Sequence, residues 1–374
     1  MRIWPFKPRN PLSESLEWST DVFRAKSSEQ RIALRKNPRR VFQMTHFMRD
    51  KDANYARSLI RNFQADESGS FLIPDWTQSS DVGAVSPGSG VVISADLTDV
   101  FYGEKAILWQ SEYLNEAVDV TWDSNGLTCD VIGTYTNAKI MPAFAGESPD
   151  GLEITRTPAS VNNVTIGFVL SDDYDIGSSN YSQYRGLDVI SDCPIVGSGS
   201  FSESLAYQLS TFDTASGDNE YIRYRTYAEN SFQMRWHKFT REDIFDLRQW
   251  ISSRRGRQKA FWISSHAQDY EVASISGTTV TVFNEIVSRS AEFDIEIVDS
   301  GDVYYRNVES LAAGPTVDGR QTVEMTIDTS VPITTASRIS NLMCARFNAD
   351  RIDFNHGGKA GTIVQVPCLE VPIP

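Results

Sequence analysis

The sequence predicts a mainly β protein with one helix per domain, an α+β arrangement, built as two tandem copies of one unit over 1–190 and 191–374. Three observations carry that expectation: a repeat at half the chain length, a helix signal at the same place in each copy, and short strand-like runs around both.

The repeat is legible residue by residue. Ser13-Glu14-Ser15-Leu16 returns as Ser202-Glu203-Ser204-Leu205, and Phe23 as Phe212, at an offset of 189. After one inserted residue the offset is 190. There Ala25, Ile32 and Arg35 meet Ala215, Ile222 and Arg225, and Phe42-Gln43-Met44 meets Phe232-Gln233-Met234. Phe71, Ile73, Gln78 and Val82 likewise meet Phe261, Ile263, Gln268 and Val272. These make 15 identities over the 70 positions from 13 to 82, where ordinary residue usage gives roughly one match in fifteen to twenty. A chain of 374 residues also suits two cores better than one. Phe42, Phe71, Phe232 and Phe261 are therefore expected to be buried core residues.

In the first copy Ile32 and Leu34, then Val41, Phe42 and Met44, read as strands broken at Asn37-Pro38. Tyr221 to Arg225 and Phe232 to Met234 take their places in the second. A helix follows each pair, at about 50–65 and 241–255. Asp50 can cap the first, with Tyr55, Leu59, Ile60 and Phe63 on one face and Gly69 as the next glycine. Thr240-x-x-Asp243 opens the second, with Ile244, Leu247 and Ile251 as its stripe and Gly256 as its stop. Phe71 to Ile73 and Ala260 to Ile263 are the next strands. Val272 to Ile275 and Thr278 to Phe283 read as a hairpin around Ser276-Gly277, and Val82 to Val85 with Val91 to Ser94 read as the same hairpin with a longer loop. Val118 to Trp122, Thr128 to Ile132, Phe293 to Val298, Val323 to Ile327 and Thr362 to Val366 complete the strands. Ser191 to Pro194, followed by Gly197-Ser198-Gly199-Ser200, reads as a linker between domains that do not share a core.

Composition bounds the function. Apolar residues make up 40% and aromatics 11%, enough for real cores. The net charge is −14, from 35 basic and 49 acidic residues, which argues against a surface built to bind nucleic acid. Cys129, Cys193, Cys344 and Cys368 form no Cys-x-x-Cys pair and read as free or buried thiols of a reducing compartment. Met1 to Pro8 lacks the apolar core of a signal peptide, and no run reaches the length of a membrane span.

Catalytic chemistry is sparse. His46 aligns with Trp236 and His266 with Trp76, so these positions accept a bulky ring; His237 has no matching partner either. His356-Gly357-Gly358-Lys359 reads as a hairpin tip rather than a phosphate loop. Gly197 to Ser200 is no nucleophile elbow, and Asp172-Asp173-Tyr174-Asp175 lacks the alternation of a calcium loop. Arg254 to Lys259 offsets a helix C-terminus. Arg31, Arg35, Arg39 and Arg40 read as a strand edge or subunit contact. No catalytic, cofactor-binding or metal-binding residue is assigned.

Several segments resemble a known family. Trp4-Pro5-Phe6-x-Pro8, Glu14-x-Leu16-Glu17-Trp18-x-Thr20-Asp21-Val22 and Glu29-Gln30-Arg31-x-Ala33-Leu34-Arg35-x-x-Pro38-Arg39-Arg40 resemble the opening of tail-tip, or baseplate, structural proteins of long-tailed bacteriophages. Tyr184 to Val189, Leu342 to Phe347 with Asp350, and Val366-Pro367-x-x-Glu370-Val371-Pro372 look like the same family. The resemblance implies tail-tube-like β-sandwich or barrel domains in a virion component assembled in the host bacterial cytoplasm. It implies a ring at the distal end of the tail tube, without enzymatic activity or cofactor, in contact with other tube and baseplate proteins. DNA would pass through without specific binding.

Two domains per chain let three chains present six domains, so a trimer acting as a pseudo-hexamer is the favoured homo-oligomer and a hexamer the second. A different reading is a carbohydrate-binding receptor module using Tyr102, Trp109 and Trp122 as exposed sugar platforms. A third is a glycan-degrading enzyme using two of Glu104, Glu112 and Asp119.

Overall fold

The computed structural model describes residues 2–24, 28–64, 70–95, 103–123, 126–157, 160–171, 176–177, 179–194, 203–206, 209–213, 217, 219–223, 229–283 and 293–373. Within them the chain is mainly strand, paired almost entirely antiparallel, with two α-helices, α1 (Asp50–Gln64) and α2 (Arg241–Arg254).

Eight strands of one larger sheet run in series through both halves of the chain: β1 (Arg9–Glu17), β2 (Arg39–Arg49), β3 (Leu152–Arg156), β4 (Val161–Leu170), β5 (Glu203–Ala206), β6 (Glu229–Lys238), β7 (Arg351–His356) and β8 (Thr362–Glu370). Their order in space is β3-β4-β2-β1-β7-β8-β6-β5, every neighbour antiparallel. The sequences suit this use. β2 alternates exposed or half-buried with buried residues along its length, placing Phe42, Met44, His46 and Met48 on the core face.

The pairing registers of one half return in the other. Glu14 faces Phe42 across β1 and β2, and Glu203 faces Phe232 across β5 and β6. Phe168 faces Phe42 as Cys368 faces Phe232. A hairpin of Thr20–Arg24 with Glu29–Ala33 sets Phe23 opposite Gln30, and one of Leu209–Asp213 with Asn219–Arg223 sets Phe212 opposite Glu220. Each half also has a short strand running parallel to the strand after its helix, Arg2–Ile3 beside Phe71–Pro74 and Leu187–Ile190 beside Phe261–Ser264. Leu187–Ile190 therefore pairs with the second half, ahead of the expected division at 190.

Both helices fall where their signals stood. Thr240 caps α2 by accepting from the Asp243 amide at 3.0 Å. Asp50 instead opens α1 as its first residue, and its carboxylate takes the Asn162 amide at 2.8 Å. The inward face of α1 is set by small residues, Ala53 and Ala56, while Tyr55, Leu59 and Ile60 are half-buried. α2 ends one residue before the left-handed Arg255, with Gly256 left-handed after it.

One expected hairpin is absent. Ser80–Val85 pairs with Tyr135–Glu147 and Gly88–Ser94 with Gly126–Val131, instead of with each other. The connection is Ser86-Pro87, and proline's fixed negative φ is incompatible with the positive φ that a tight type I′ turn demands. Its counterpart, Val272–Ser276 with Thr279–Phe283, does form around Gly277 at φ 60°.

The two halves also share a core, against the expectation of separate ones. Leu16, Phe42, Phe71 and Phe168 from the first lie in one continuous cluster with Phe232, Trp250, Phe261 and Phe354 from the second. Phe42, Phe71 and Phe261 are completely buried and Phe232 nearly so. Two satellite cores fill the outer strands of each half, one around Ile93, Leu108 and Leu127, the other around Val280, Ile295 and Met325. The expected linker Gly197 to Ser200 lies outside the described residues, as do Ala25, Gly69, Tyr102, Asp172 to Asp175, Ser202, Ala215 and Arg225.

Candidate functional site

Of the acids and aromatics singled out by sequence, Tyr102 lies outside the described residues, and Glu104 borders Asp119, its carbonyl accepting from the Val120 amide at 3.2 Å. Trp109 is half-buried, donates to the Pro5 carbonyl at 2.8 Å and meets Trp76 edge-on. Trp122 is half-buried and donates to the Gly103 carbonyl at 2.5 Å. Asp119 is paired with Lys105 across adjacent strands. Glu112 lies at the far end of the same hairpin, about 20 Å along the strand by its rise per residue, beyond the separation that paired glycosidase carboxylates require.

The histidines are packed. His46 is buried, bonds the Lys7 carbonyl through Nδ1 at 3.0 Å and accepts at Nε2 from the Trp4 indole. Burial pushes its pKa down to about 4, only partly opposed by the Lys7 bond. Trp236, its aligned partner, is fully buried too and donates to the Asp192 carbonyl. Among the described residues no set of three or more His, Cys, Asp or Glu is placed to hold a metal ion, and no helix is long and apolar enough to cross a membrane. The cysteines are free; Cys129, Cys344 and Cys368 are buried, and burial raises their thiol pKa values.

The structure's own concentration of charge lies elsewhere, at the seam where β1 meets β7. Alternation along β1 turns Leu12, Glu14 and Leu16 to the core, so a carboxylate sits in an apolar row with no solvent exposure. Left alone it would be strongly unfavourable there. Arg40, opposite Leu16 on β2, donates through Nε to Glu14 Oε1 at 2.6 Å and reaches Asp75 with another nitrogen. Arg248, on α2, pairs with Glu14 Oε2, and His356, at the end of β7, lies 2.9 Å from the same oxygen. Asp75 accepts from the Thr77 amide and hydroxyl at 3.0 and 2.6 Å, and from Gln78. The Arg40 guanidinium also lies over the Phe42 ring, 4.6 Å from its centre.

Charge balance explains how the cluster survives burial. Burial alone would raise the Glu14 carboxyl, yet Arg248 and Arg40 outweigh it and hold the pKa well below the ordinary range. Asp75 is lowered against the same burial, chiefly by Arg40. Burial dominates at His356 and lowers it, so the ring is neutral at pH 7. A neutral ring that donates Nε2–H to Glu14 accepts at Nδ1 from the Thr362 hydroxyl, 2.9 Å away. Two guanidiniums thus face two carboxylates, and every group is at least nine-tenths buried.

This arrangement joins the two halves of the chain. Glu14, Arg40 and Asp75 come from the first half, Arg248 and His356 from the second. More contacts reinforce the seam. Asp350 accepts from the Thr20 and Arg257 amides, each at 3.0 Å, and Arg346 grips Glu29 through two bonds of 2.6 and 2.9 Å.

Sequence reasoning placed Arg40 on a strand edge and His356 on a hairpin tip; the structure corrects both. Gly357 to Lys359 do form the tip between β7 and β8, but His356 closes the strand and faces the core. Arg254, read as a helix-end charge, is buried against Trp250 and paired with Asp188. Scanned against protein families and curated proteins, the sequence matches none.

Proposed function

We propose that the chain is a structural ring subunit of a bacteriophage tail tip, two copies of one tail-tube-like β domain fused in tandem. The observation that carries this reading is the return of the pairing registers: Glu14 opposite Phe42 becomes Glu203 opposite Phe232, with both copies joined edge to edge in one sheet. Two equivalent units fixed side by side by a buried charge lock form an arc, and arcs close into rings. The twin hairpins expose Phe23 and Ile32 in one half and Tyr221 and Ile222 in the other. Exposed apolar side chains on both hairpins, with Ile32 and Ile222 at matching places, suit contact with neighbouring tube or baseplate proteins. A net charge of −14 suits a channel that DNA traverses without binding.

The reading is tested on particles. An antibody raised against the purified chain should decorate the end of the tail away from the head in electron micrographs of virions. Virions that carry none of the chain, or label confined to the capsid, would refute it.

A further inference from the structure

The internal seam is a template for a contact between chains. Within the chain, β1 pairs with β7 so that Leu16 faces Ile352 and Glu14 faces Phe354. Each of these strands has a counterpart in the other half. β5 pairs with β6 in the register that β1 keeps with β2. β3 pairs with β4, Ile154 opposite Val164, as β7 pairs with β8, Phe354 opposite Val364. Yet β3 and β5 are the two ends of the eight-strand series, each with one strand partner among the described residues.

We propose that β3 of one copy pairs antiparallel with β5 of the next copy, Leu152 opposite Leu205 and Ile154 opposite Glu203. The contact rests on the ring reading and gives it a defined interface. The register follows from the template: Leu16 corresponds to Leu205 and Ile352 to Leu152, Glu14 to Glu203 and Phe354 to Ile154. Joining one end of the series to the opposite end is a heterologous, head-to-tail contact, which repeats until it closes. Three chains then make six like seams, alternately within and between chains.

Three observations favour a second copy of this chain as the occupant. Leu16 is fully buried in the internal seam, whereas Leu205 at the equivalent place is 67% exposed. A lone leucine of that exposure on an unpaired edge is explained when another strand covers it. Leu152 and Ile154, on the face that Ile352 and Phe354 bury, are already half-buried against the core, leaving their outer sides to the partner. Charge also matches across the joint. His356 stands diagonal to Glu14 in the internal register, and the same diagonal brings the position of Arg156 beside that of Glu203.

Engineered disulfides test the register directly. In full-length protein carrying Cys193→Ser, which removes the exposed thiol, Leu152→Cys with Leu205→Cys should give covalent dimers and trimers on oxidation, ending at a closed trimer by native mass spectrometry. Ile154→Cys with Leu205→Cys, two residues out of register, should not cross-link, since the side chains would be about 7–8 Å apart. Trimers that persist without the expected cross-link would overturn the strand contact and leave the ring reading standing. Efficient cross-linking into open ladders longer than three would uphold the contact and overturn the trimeric ring. Protein that stays monomeric and uncross-linked would overturn both.

A single variant reads the same contact without relying on disulfide geometry. Leu205→Lys changes a residue that is exposed in the single chain, so its circular dichroism and melting should be unchanged. Assembly should need about tenfold more protein or higher. Unaltered assembly of Leu205→Lys would overturn the proposal.

Discussion

Replacing Glu14 with glutamine should be among the most damaging single changes of similar size in this chain. The native cluster holds two guanidiniums, Arg40 and Arg248, against two carboxylates, Glu14 and Asp75, beside a neutral His356. Glu14→Gln leaves both cations buried against Asp75 alone. The amide keeps the shape but turns two N–H donors toward groups that are themselves donors. Removing one partner of a buried ion pair costs about 3–5 kcal/mol, mostly the penalty of the charge left behind. The double variant Glu14→Gln with Arg248→Met restores balance by leaving Arg40 with Asp75, and should recover at least half of the loss. Urea denaturation followed by tryptophan fluorescence measures both. Trp4, Trp236 and Trp250 lie in the shared core and report on both halves. A Glu14→Gln variant that loses less than about 1 kcal/mol, or a double variant as weak as the sum of its singles, would refute the charge-balance account.

Other expectations follow from the same structure. Phe232→Ala empties a nearly fully buried site and should cost about 3–5 kcal/mol; an unchanged melt would mean that the repeat does not mark the core. His46 titrates near 4 in the fold against about 6.5 when unfolded. Its contribution is complete above pH 6.5 and declines as pH falls toward 4, by about 3 kcal/mol in all. His46→Phe should flatten that limb in denaturant midpoints taken across pH 4–7. The lowered Glu14 and Asp75 carboxyls act at lower pH: their stabilisation is present above the ordinary carboxylate range and is lost as pH falls through their folded values. Gly256→Ala should destabilise by more than about 1 kcal/mol, because φ is +61° and an added Cβ would come within 2.5 Å of Asp350 Oδ1. Equal stability of that variant in thermal melts would show that the Asp350 junction tolerates movement.

The fold was largely legible because identity and pairing fall on the same positions. Phe42 and Phe232 are identical residues and also occupy equivalent registers, so alignment of the copies stood in for knowledge of the sheet. Helix positions were legible for a local reason: a cap, a stripe and a glycine lie within one short segment. Partners were not. Val82 to Val85 and Val91 to Ser94 are strands as their residue types require, but which strand each joins depends on segments some 32–55 residues on, and the hairpin expectation failed at Pro87.

The charge lock was hidden by distance. Glu14 meets Arg248 across 234 residues and His356 across 342, and no motif spans such gaps. A signal did exist in how the copies differ. Ser-Glu-Ser-Leu is kept in both, but the position opposite its leucine is Arg40 in the first and Asn230 in the second. Inside the chain, Glu14 takes a second cation from α2, Arg248, and a neutral imidazole from β7, His356. The proposed contact between copies would set Arg156 of one copy beside the position of Glu203 in the next, where His356 stands beside Glu14 within the chain.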